Sequence, residues 1–424
     1  MPLPSRLRHR RARPLGGGWF PALLVALGLA AAACTSPAHP AASTVPRVLG
    51  QPSGATDVIG QPAPAGTGQL GAVDCADAEH CVAVGVAGPN NPTTTAPGAA
   101  AEGPIVIITT ANGGQTWTAR RVPLAPAPAL SGVACPRIST CMAVGSTGSY
   151  PPAGVVLTSR NGGHSWQQMA APANAVAVTS VECGAIASCT VLVNDGTTTW
   201  SASTTDFGHT WTHEGDLPPG FEEGRDLSCP TGLTCLVAGN TPTTTGHGQG
   251  AVVISLDGGT TWVASHVPAG VGLLQSATCA SGIVCLAVGT TSTTVSDIVP
   301  AKGELLVSND GGENWTISPH TPSVDDIYGI ACPLVRTCAM VGTRWVGQPA
   351  TVGSGAVAVS GDAGSTFAAT STAYTPLTLT ALTCPTELSC LAVGGNTVAR
   401  ITLHVAPAPA PLVTPRRSTP NNSI

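Results

Sequence analysis

The sequence predicts an all-β protein, a seven-bladed β-propeller of four-stranded blades whose ring is closed by an N-terminal strand that completes the last blade. Two repeated patterns predict this fold. A cysteine pair with the spacing Cys-x5-Cys occurs seven times, and a turn motif centred on Asp or Asn occurs six times between the pairs. The turn motif recurs about every 50 residues, a period that fits one four-stranded blade.

The composition agrees with β-structure that contains many turns. The chain has 424 residues, of which 51 are Gly and 38 are Pro, and only 9% are charged. Many turn-forming residues and few charges disfavour long solvent-exposed helices. A repeat architecture explains how so long a chain forms one domain, which we place at residues 45–405.

Fourteen of the 15 cysteines fall into the seven pairs, and only Cys34 is left over. An exported protein meets an oxidising environment, so we expect disulfides within the pairs, each closing a short hairpin. Zinc sites usually add a second thiol pair or histidines nearby, whereas here each pair stands alone in its repeat without a fixed histidine partner, and we predict no metal and no cofactor. The predicted disulfides are Cys75–Cys81, Cys135–Cys141, Cys183–Cys189, Cys229–Cys235, Cys279–Cys285, Cys332–Cys338 and Cys384–Cys390.

The turn motif reads Ser/Thr-x-Asp/Asn-x-Gly-x-x-Trp/Phe, as in SNDGGENW at 308–315. Its Asp or Asn side chain is expected to bond local backbone N–H groups, while Gly takes the positive-φ position. The motif resembles the Asp-box of BNR repeats, found in sialidases, xyloglucanase-type glycosidases, sortilin-like receptors and photosystem-assembly propellers. The resemblance implies a structural role away from any active site. The central residues are Asn112, Asn161, Asp206, Asp257, Asp310 and Asp362.

Each repeat is predicted to contain four strands, with the cysteine pair at the turn between strands 1 and 2 and the Asp/Asn motif at the turn between strands 3 and 4. The last repeat lacks a fourth strand, and we expect the segment 44–51 to supply it. In a four-stranded meander these two turns lie on one face of the disc. The irregular loops lie on the other face, at 85–104, 217–226, 239–250, 289–303, 323–329 and 342–355.

Functional residues are expected on the loop face, because variable loops on a rigid scaffold usually carry function. Charged and aromatic side chains concentrate there, although solvated loop polarity is the alternative interpretation. The catalytic candidates are Glu223, Asp226, Asp325 and Asp326. The binding candidates are Glu222, Arg225, Tyr328, Arg344 and Trp345.

We predict an exported, membrane-anchored, monomeric module that binds a protein or glycan partner without catalysis. The alternative is a glycoside hydrolase, sialidase-like or another exo-glycosidase. The blades hold few arginines, and aromatic residues make up 4% of the chain, which disfavours a sialidase or a sugar-stacking cleft. Two carboxylates at a suitable separation would suffice for other glycosidases, so enzymatic activity stays open.

Residues 1–33 have the pattern of an export signal, with five arginines before an apolar run that is too short to cross a membrane. LAAAAC at 29–34 resembles a bacterial lipobox, which implies lipidation of Cys34; ordinary cleavage would leave Cys34 unmodified and the protein secreted. A tether at 34–44 and a Pro-rich tail at 406–424 flank the domain. Cleavage of 1–33 removes five of the 17 basic side chains and none of the 22 acidic ones, which argues against a nucleic-acid partner. Either the general or the twin-arginine export route is compatible with the sequence.

Overall fold

The computed structural model describes residues 52–405 apart from 89–104, 123–127, 149, 185–186, 222, 231, 243–247, 292–301, 321, 347–351 and 372–377. All 28 secondary-structure elements in these ranges are β-strands, and they form seven four-stranded antiparallel sheets. Hydrophobic clusters join neighbouring sheets around the ring, so each sheet is one blade. The predicted seven-bladed propeller is confirmed. None of the described residues belongs to a helix able to span a bilayer.

Six blades follow one another along the chain, each as four consecutive strands that pair in sequence order. Their strands are β2 (Thr67–Cys75), β3 (His80–Ala87), β4 (Ile105–Ala111), β5 (Thr118–Val122), β6 (Pro128–Arg137), β7 (Thr140–Thr147), β8 (Gly154–Ser159), β9 (Gln167–Met169), β10 (Ala177–Cys183), β11 (Cys189–Asn194), β12 (Thr199–Thr204), β13 (Thr212–Asp216), β14 (Glu223–Ser228), β15 (Cys235–Thr241), β16 (Gln249–Ser255), β17 (Val263–Ala264), β18 (Leu274–Cys279), β19 (Cys285–Thr290), β20 (Gly303–Ser308), β21 (Thr316–Ile317), β22 (Asp326–Ala331), β23 (Cys338–Val346), β24 (Val352–Ser360) and β25 (Ala368–Ser371).

The seventh blade combines the two ends of the fold. β26 (Ala381–Thr386), β27 (Ser389–Gly394) and β28 (Thr397–Val405) are completed by β1 (Pro52–Pro62), which pairs antiparallel with β28. Closure by an N-terminal strand is confirmed, but the strand begins at Pro52, after the predicted segment 44–51. The contacts of Val58 and Gln61 explain why residues 52–62 form the closing strand.

Val58 packs into the core of the closing blade, and the Gln61 side chain donates a 2.8 Å hydrogen bond to the carbonyl of Gly114 in the first blade. The closing strand is therefore held on both sides of the junction. Residues 44–51, the predicted signal peptide, the tether with Cys34 and the tail at 406–424 lie outside the described residues.

The seven disulfides join the two inner strands of each blade as predicted. In the fifth blade, for example, Cys279 and Cys285 face each other directly in the β18–β19 ladder, with their Cα atoms 3.9 Å apart. Each bridge therefore closes one hairpin and crosses no blade boundary. On the chain-entropy account, so short a loop contributes about 2 kcal/mol.

The Asp/Asn motifs form hydrogen-bonded turns between the third and fourth strands. In the fifth blade, the Gly312 N–H donates to Ser308 Oγ at 2.9 Å, and the Asp310 carboxylate accepts the N–H of Asn314 at 3.0 Å. The backbone and side-chain donors of Asn314 lower the pKa of Asp310 to about 2. The motif is thus a structural turn whose carboxylate is ionised at neutral pH.

The cysteine hairpins and the Asp/Asn turns lie on the same face of the disc. The Gly311 N–H of the fifth-blade turn donates to the carbonyl of Ile283 in the cysteine hairpin at 2.8 Å. Equivalent bonds occur in the other five sequential blades, such as that from Gly258 to Leu233 at 2.8 Å. We call this side the disulfide face and the opposite side the loop face.

A β-bulge interrupts the inner strand of each sequential blade, four residues before its first cysteine. In the fifth blade Leu274 pairs with Gly289 and Ser276 pairs with Val288, so Gln275 is left unpaired. Close approach makes glycine necessary on the partner strand: a Cβ at Gly289 would lie 2.0 Å from the Leu273 carbonyl oxygen. The same contact recurs at the glycine four residues after the second cysteine in six of the seven blades, where a Cβ would lie 1.9 to 2.1 Å from a carbonyl oxygen.

Gly289→Ala is expected to destabilise the fold by at least about 3 kcal/mol, because neither backbone can move away without breaking the ladder. Chemical denaturation of the purified domain measures this. Gly282→Ala is the matched control, because a Cβ at this hairpin position meets no atom within 4 Å. Equal stability of the two variants would contradict the close-approach explanation.

Candidate functional site

A channel runs along the ring axis and is lined by the inner strands of all seven blades. Its volume is about 1530 Å³, and its lining extends from the cysteine hairpins, such as Pro136 and Pro333, to loop-face residues such as Trp345. It therefore connects the disulfide face to the loop face. A concave surface of this size, lined by a few polar side chains, is the default place to look for a binding site.

The bulges decide which side chains line the channel. The residue left unpaired in each inner strand lines it, and so does Thr380 at the equivalent position of the closing blade. Three neighbouring blades carry large polar groups there, namely Arg225, Gln275 and Tyr328. The other positions hold Gly71, Ser131 and Thr179.

Arg225 is the centre of a hydrogen-bonded group at the loop-face mouth. Its guanidinium donates to the Glu223 carboxylate at 2.8 Å and to Gln275 Oε1 in the next blade at 3.2 Å. Burial raises the pKa of the neighbouring Tyr328 to about 12, with the charge of Asp326 adding to the effect and Arg225 opposing it. Tyr328 is therefore a neutral hydrogen-bonding phenol at physiological pH.

Trp345 extends the mouth on the side of the sixth blade. Its indole N–H donates to the Asp326 carboxylate at 2.7 Å, and its backbone N–H donates to the Asp325 carboxylate at 2.6 Å. These two bonds hold the ring beside the channel, where it presents an aromatic surface. We call Glu223, Arg225, Gln275, Asp326, Tyr328 and Trp345 the mouth cluster.

Two acids deeper in the channel connect neighbouring blades. Asp74 accepts the backbone N–H of Cys135 at 2.7 Å and the hydroxyl of Thr383 at 3.2 Å, so it joins three blades. Asp226 accepts the hydroxyl of Ser276 at 2.6 Å and the N–H of Ala277 at 3.2 Å. Both carboxylates satisfy N–H groups on the free edge of the next inner strand. Burial raises the pKa of Asp74 to about 6 and also raises that of Asp226.

Glu182 differs from these two acids because its side chain forms no hydrogen bond with any residue that the structure describes. It lines the channel in the third blade and is half-buried. Its pKa is raised to about 8, mainly by burial in the enclosed channel and in smaller part by the charges of Asp74 and Asp226. Glu182 is thus largely protonated at neutral pH and can donate a hydrogen bond into the channel.

The structure brings most of the predicted site residues together. Glu223, Arg225, Asp226, Asp326, Tyr328 and Trp345 all line the channel. Asp325 does not line it, and its carboxylate positions the Trp345 backbone instead. Arg344 is exposed outside the channel lining. Glu222 lies outside the described residues.

Sequence reasoning missed three channel residues, Asp74, Glu182 and Gln275. Their positions within the repeat could have identified them. Asp74 and Glu182 each directly precede the first cysteine of a pair, and Gln275 stands four residues before one. Aligning the seven repeats on their cysteines would have identified both positions. Within the described part of the chain, no group of three or more His, Cys, Asp or Glu side chains could hold a metal ion.

Comparison with solved structures finds other β-propellers. YCF48 bound to D1 peptide matches with a TM-score of 0.56 and 15% identity, over 82% of this chain and 97% of that one. Virginiamycin B lyase from Staphylococcus aureus matches with a TM-score of 0.55 and 10% identity, over 82% of this chain and all of that one. A GH74 xyloglucanase from Xanthomonas campestris matches with a TM-score of 0.54 and 14% identity, and the match covers only 53% of the enzyme. At these identities the likeness concerns the fold.

No family model matches the chain. No curated protein sequence matches it either. The seven disulfides are typical of an oxidising, extracytoplasmic environment.

Glu182→Gln is expected to stabilise the protein increasingly as pH rises from 4.5 to 8. The pKa of Glu182 is about 8 in the folded protein and 4.5 without the channel environment. The folded state therefore binds more protons across this window, and stability falls as pH rises through it. The melting temperatures of both proteins between pH 4 and 9 measure the effect, which is at most about 5 kcal/mol at its plateau.

Glu387→Gln, at an exposed hairpin turn outside the channel lining, corrects for the loss of one acidic residue. A difference between Glu182→Gln and the parent that does not change with pH would show that the channel does not perturb Glu182.

Proposed function

We propose that the protein is an exported, lipid-anchored β-propeller that binds an extended segment of a partner protein at the loop-face mouth of its channel, without catalysis. The observation that carries the proposal is the mouth cluster. It combines a guanidinium, a neutral phenol, a side-chain amide and an indole ring at one channel opening.

The chemistry of the cluster suits a peptide backbone. Arg225 has five N–H donors, and among the described residues its side chain donates hydrogen bonds to Glu223 and Gln275. Peptide carbonyl groups or a carboxylate are natural acceptors for the remaining donors. Trp345 and Tyr328 provide the aromatic contacts that commonly dominate binding energy at protein interfaces. YCF48, a β-propeller of similar fold, has been captured with the D1 peptide bound, which supports a peptide as the ligand class.

The contacts of the acidic residues favour binding over catalysis. Asp226, Asp325 and Asp326 each accept a hydrogen bond that positions neighbouring protein groups, and Glu223 pairs with Arg225. A catalytic acid or base must instead be directed at the reacting bond. The hydrogen bonds of these four carboxylates therefore explain their presence without a catalytic role.

Selection of random peptides on the immobilised mature domain tests the proposal. Peptides that bind are expected to lose about tenfold in affinity, roughly 1.4 kcal/mol, on Arg225→Ala or Trp345→Ala, because both side chains face the bound segment. Arg344→Ala is the matched control, since Arg344 is exposed outside the channel lining. Selected peptides that lose affinity equally with all three variants, or with none, would contradict this site.

Glycoside hydrolysis is the second candidate, favoured by the protonated Glu182 near the Asp74 and Asp226 carboxylates. A carboxylic acid that stays protonated near neutral pH is what a glycosidase general acid requires. The purified mature domain would then release sugar from a β-glucan or a sialoside, and Glu182→Gln would abolish that release. Absence of release from both substrates supports the binding function.

Membrane anchoring through Cys34 is the second part of the proposal. The lipobox resemblance and the short apolar run at 19–33 support it. Mass spectrometry of the protein purified from membranes is expected to show a diacylated N-terminal peptide that begins at Cys34. Recovery of an unmodified Cys34 peptide, with the protein in the culture medium, would contradict anchoring.

A further inference from the structure

Large apolar side chains stand exposed at one equivalent place in the blades, the tip of the cysteine hairpin. Leu233, Ile283 and Val335, in three consecutive blades, are 65%, 64% and 57% exposed. Ile138 and Leu388 occupy the same turn in two further blades and are 50% and 42% exposed. Scattered exposed apolar residues need no explanation, but these five all lie in the cysteine hairpin turn of their blade, at the third or fourth residue after the first cysteine, and therefore on one face. We call these five residues the tip residues.

Rigid backbone presents the tip residues. The carbonyl groups of Leu233 and Ile283 each accept a 2.8 Å hydrogen bond from the Asp/Asn turn of their own blade. A disulfide closes each hairpin below its tip. The side chains therefore cannot turn inward without loss of these bonds, and their exposure is built into the fold.

The N-terminal strand of the fold starts on this same face. Pro52 pairs with Val405 at the end of β28. The Leu403 N–H donates to the carbonyl of the tip residue Leu388 at 2.8 Å. The chain that leads to Cys34 thus departs from the disulfide face. The intervening residues 35–51 span at most roughly 60 Å when extended.

We propose that the disulfide face lies against the lipid bilayer, with the tip residues inserted at the boundary between headgroups and acyl chains. The inference rests on the anchoring of Cys34 proposed above. It gives the protein an orientation in which the mouth cluster, on the opposite face, points away from the membrane.

Because the lipid on Cys34 already holds the protein at the membrane, the disulfide face needs only a weak affinity for the bilayer in order to dock. A short connection to the lipid anchor keeps the face at a high effective concentration beside the membrane, so docking becomes an intramolecular event. Apolar side chains of interfacial proteins insert roughly 5–10 Å into this boundary. Five tips on one rigid disc can enter together because all lie on the same face.

Charges on the disulfide face indicate which lipids it accepts. Arg137 and Arg336 are exposed next to Ile138 and Val335, where they can reach headgroup phosphates. Four ionised carboxylates of the Asp/Asn turns, Asp206, Asp257, Asp310 and Asp362, lie on the same face and repel anionic lipid. Docking is therefore driven by apolar contact, and a zwitterionic bilayer is the preferred surface.

Fluorescence quenching by brominated lipids tests the orientation. The mature protein, residues 34–424, is coupled through the Cys34 thiol to a maleimide lipid in phosphatidylcholine vesicles, so the result does not depend on native lipidation. Ile283→Trp places a reporter at a tip, and Tyr150→Trp places one at a position that is 97% exposed, in the loop between β7 and β8 on the loop face. The reporter signal is the difference from the parent protein.

Brominated lipid is expected to quench the Ile283→Trp reporter by at least about twofold and to leave the Tyr150→Trp reporter unchanged, as insertion at the acyl boundary requires. Addition of Leu233→Ser and Val335→Ser should remove the quenching while the melting temperature is retained, since both side chains are exposed. Anionic lipid in the vesicles should weaken the quenching of the Ile283→Trp reporter, because the Asp carboxylates of the disulfide face repel it. Equal quenching of both reporters, or of neither, would overturn the orientation, whatever the outcome of the peptide experiment.

Discussion

The close packing of two backbones in each inner hairpin is the constraint on which the rest of the structure depends. A bulge in the first strand brings a carbonyl group against the second strand, and only glycine leaves space for it in six of the seven blades. The disulfide at the other end of the hairpin keeps the two strands in register. Together they explain why the Cys-x5-Cys-x3-Gly pattern recurs, as in 279–289.

The same bulge produces the channel surface. An unpaired residue in a bulged strand turns its side chain away from the regular ladder, here into the axial channel. The blades differ mainly in the residue at this position, which ranges from glycine to arginine and tyrosine. The repeated bulge therefore presents a different side chain to the channel in each blade, and the large polar groups are confined to three adjacent blades.

The acidity of the channel has a structural origin for two of its acids. The inner strand of each blade has a free edge, whose N–H groups must find acceptors in an enclosed space. Asp74 and Asp226 provide acceptors for the next blade, and the hydroxyl of Ser180 does the same for Leu227. The Glu182 carboxyl accepts no such N–H group from any described residue. Blade packing therefore explains Asp74 and Asp226 but does not explain Glu182.

Local sequence patterns were sufficient for the blade count, the disulfide pairing, the Asp/Asn turns and the assignment of faces. Each of these depends on hydrogen bonds or bridges between residues close in the chain, so spacing alone identifies them. The closing strand was misplaced because its partner, β28, lies at the other end of the chain, and contacts such as that of Gln61 with Gly114 leave no local pattern. The same reason applies to the channel, because only the folded ring places neighbouring inner strands side by side. The sequence therefore did not show that Arg225 contacts Gln275, that Asp326 positions Trp345, or that the pKa of Glu182 is raised.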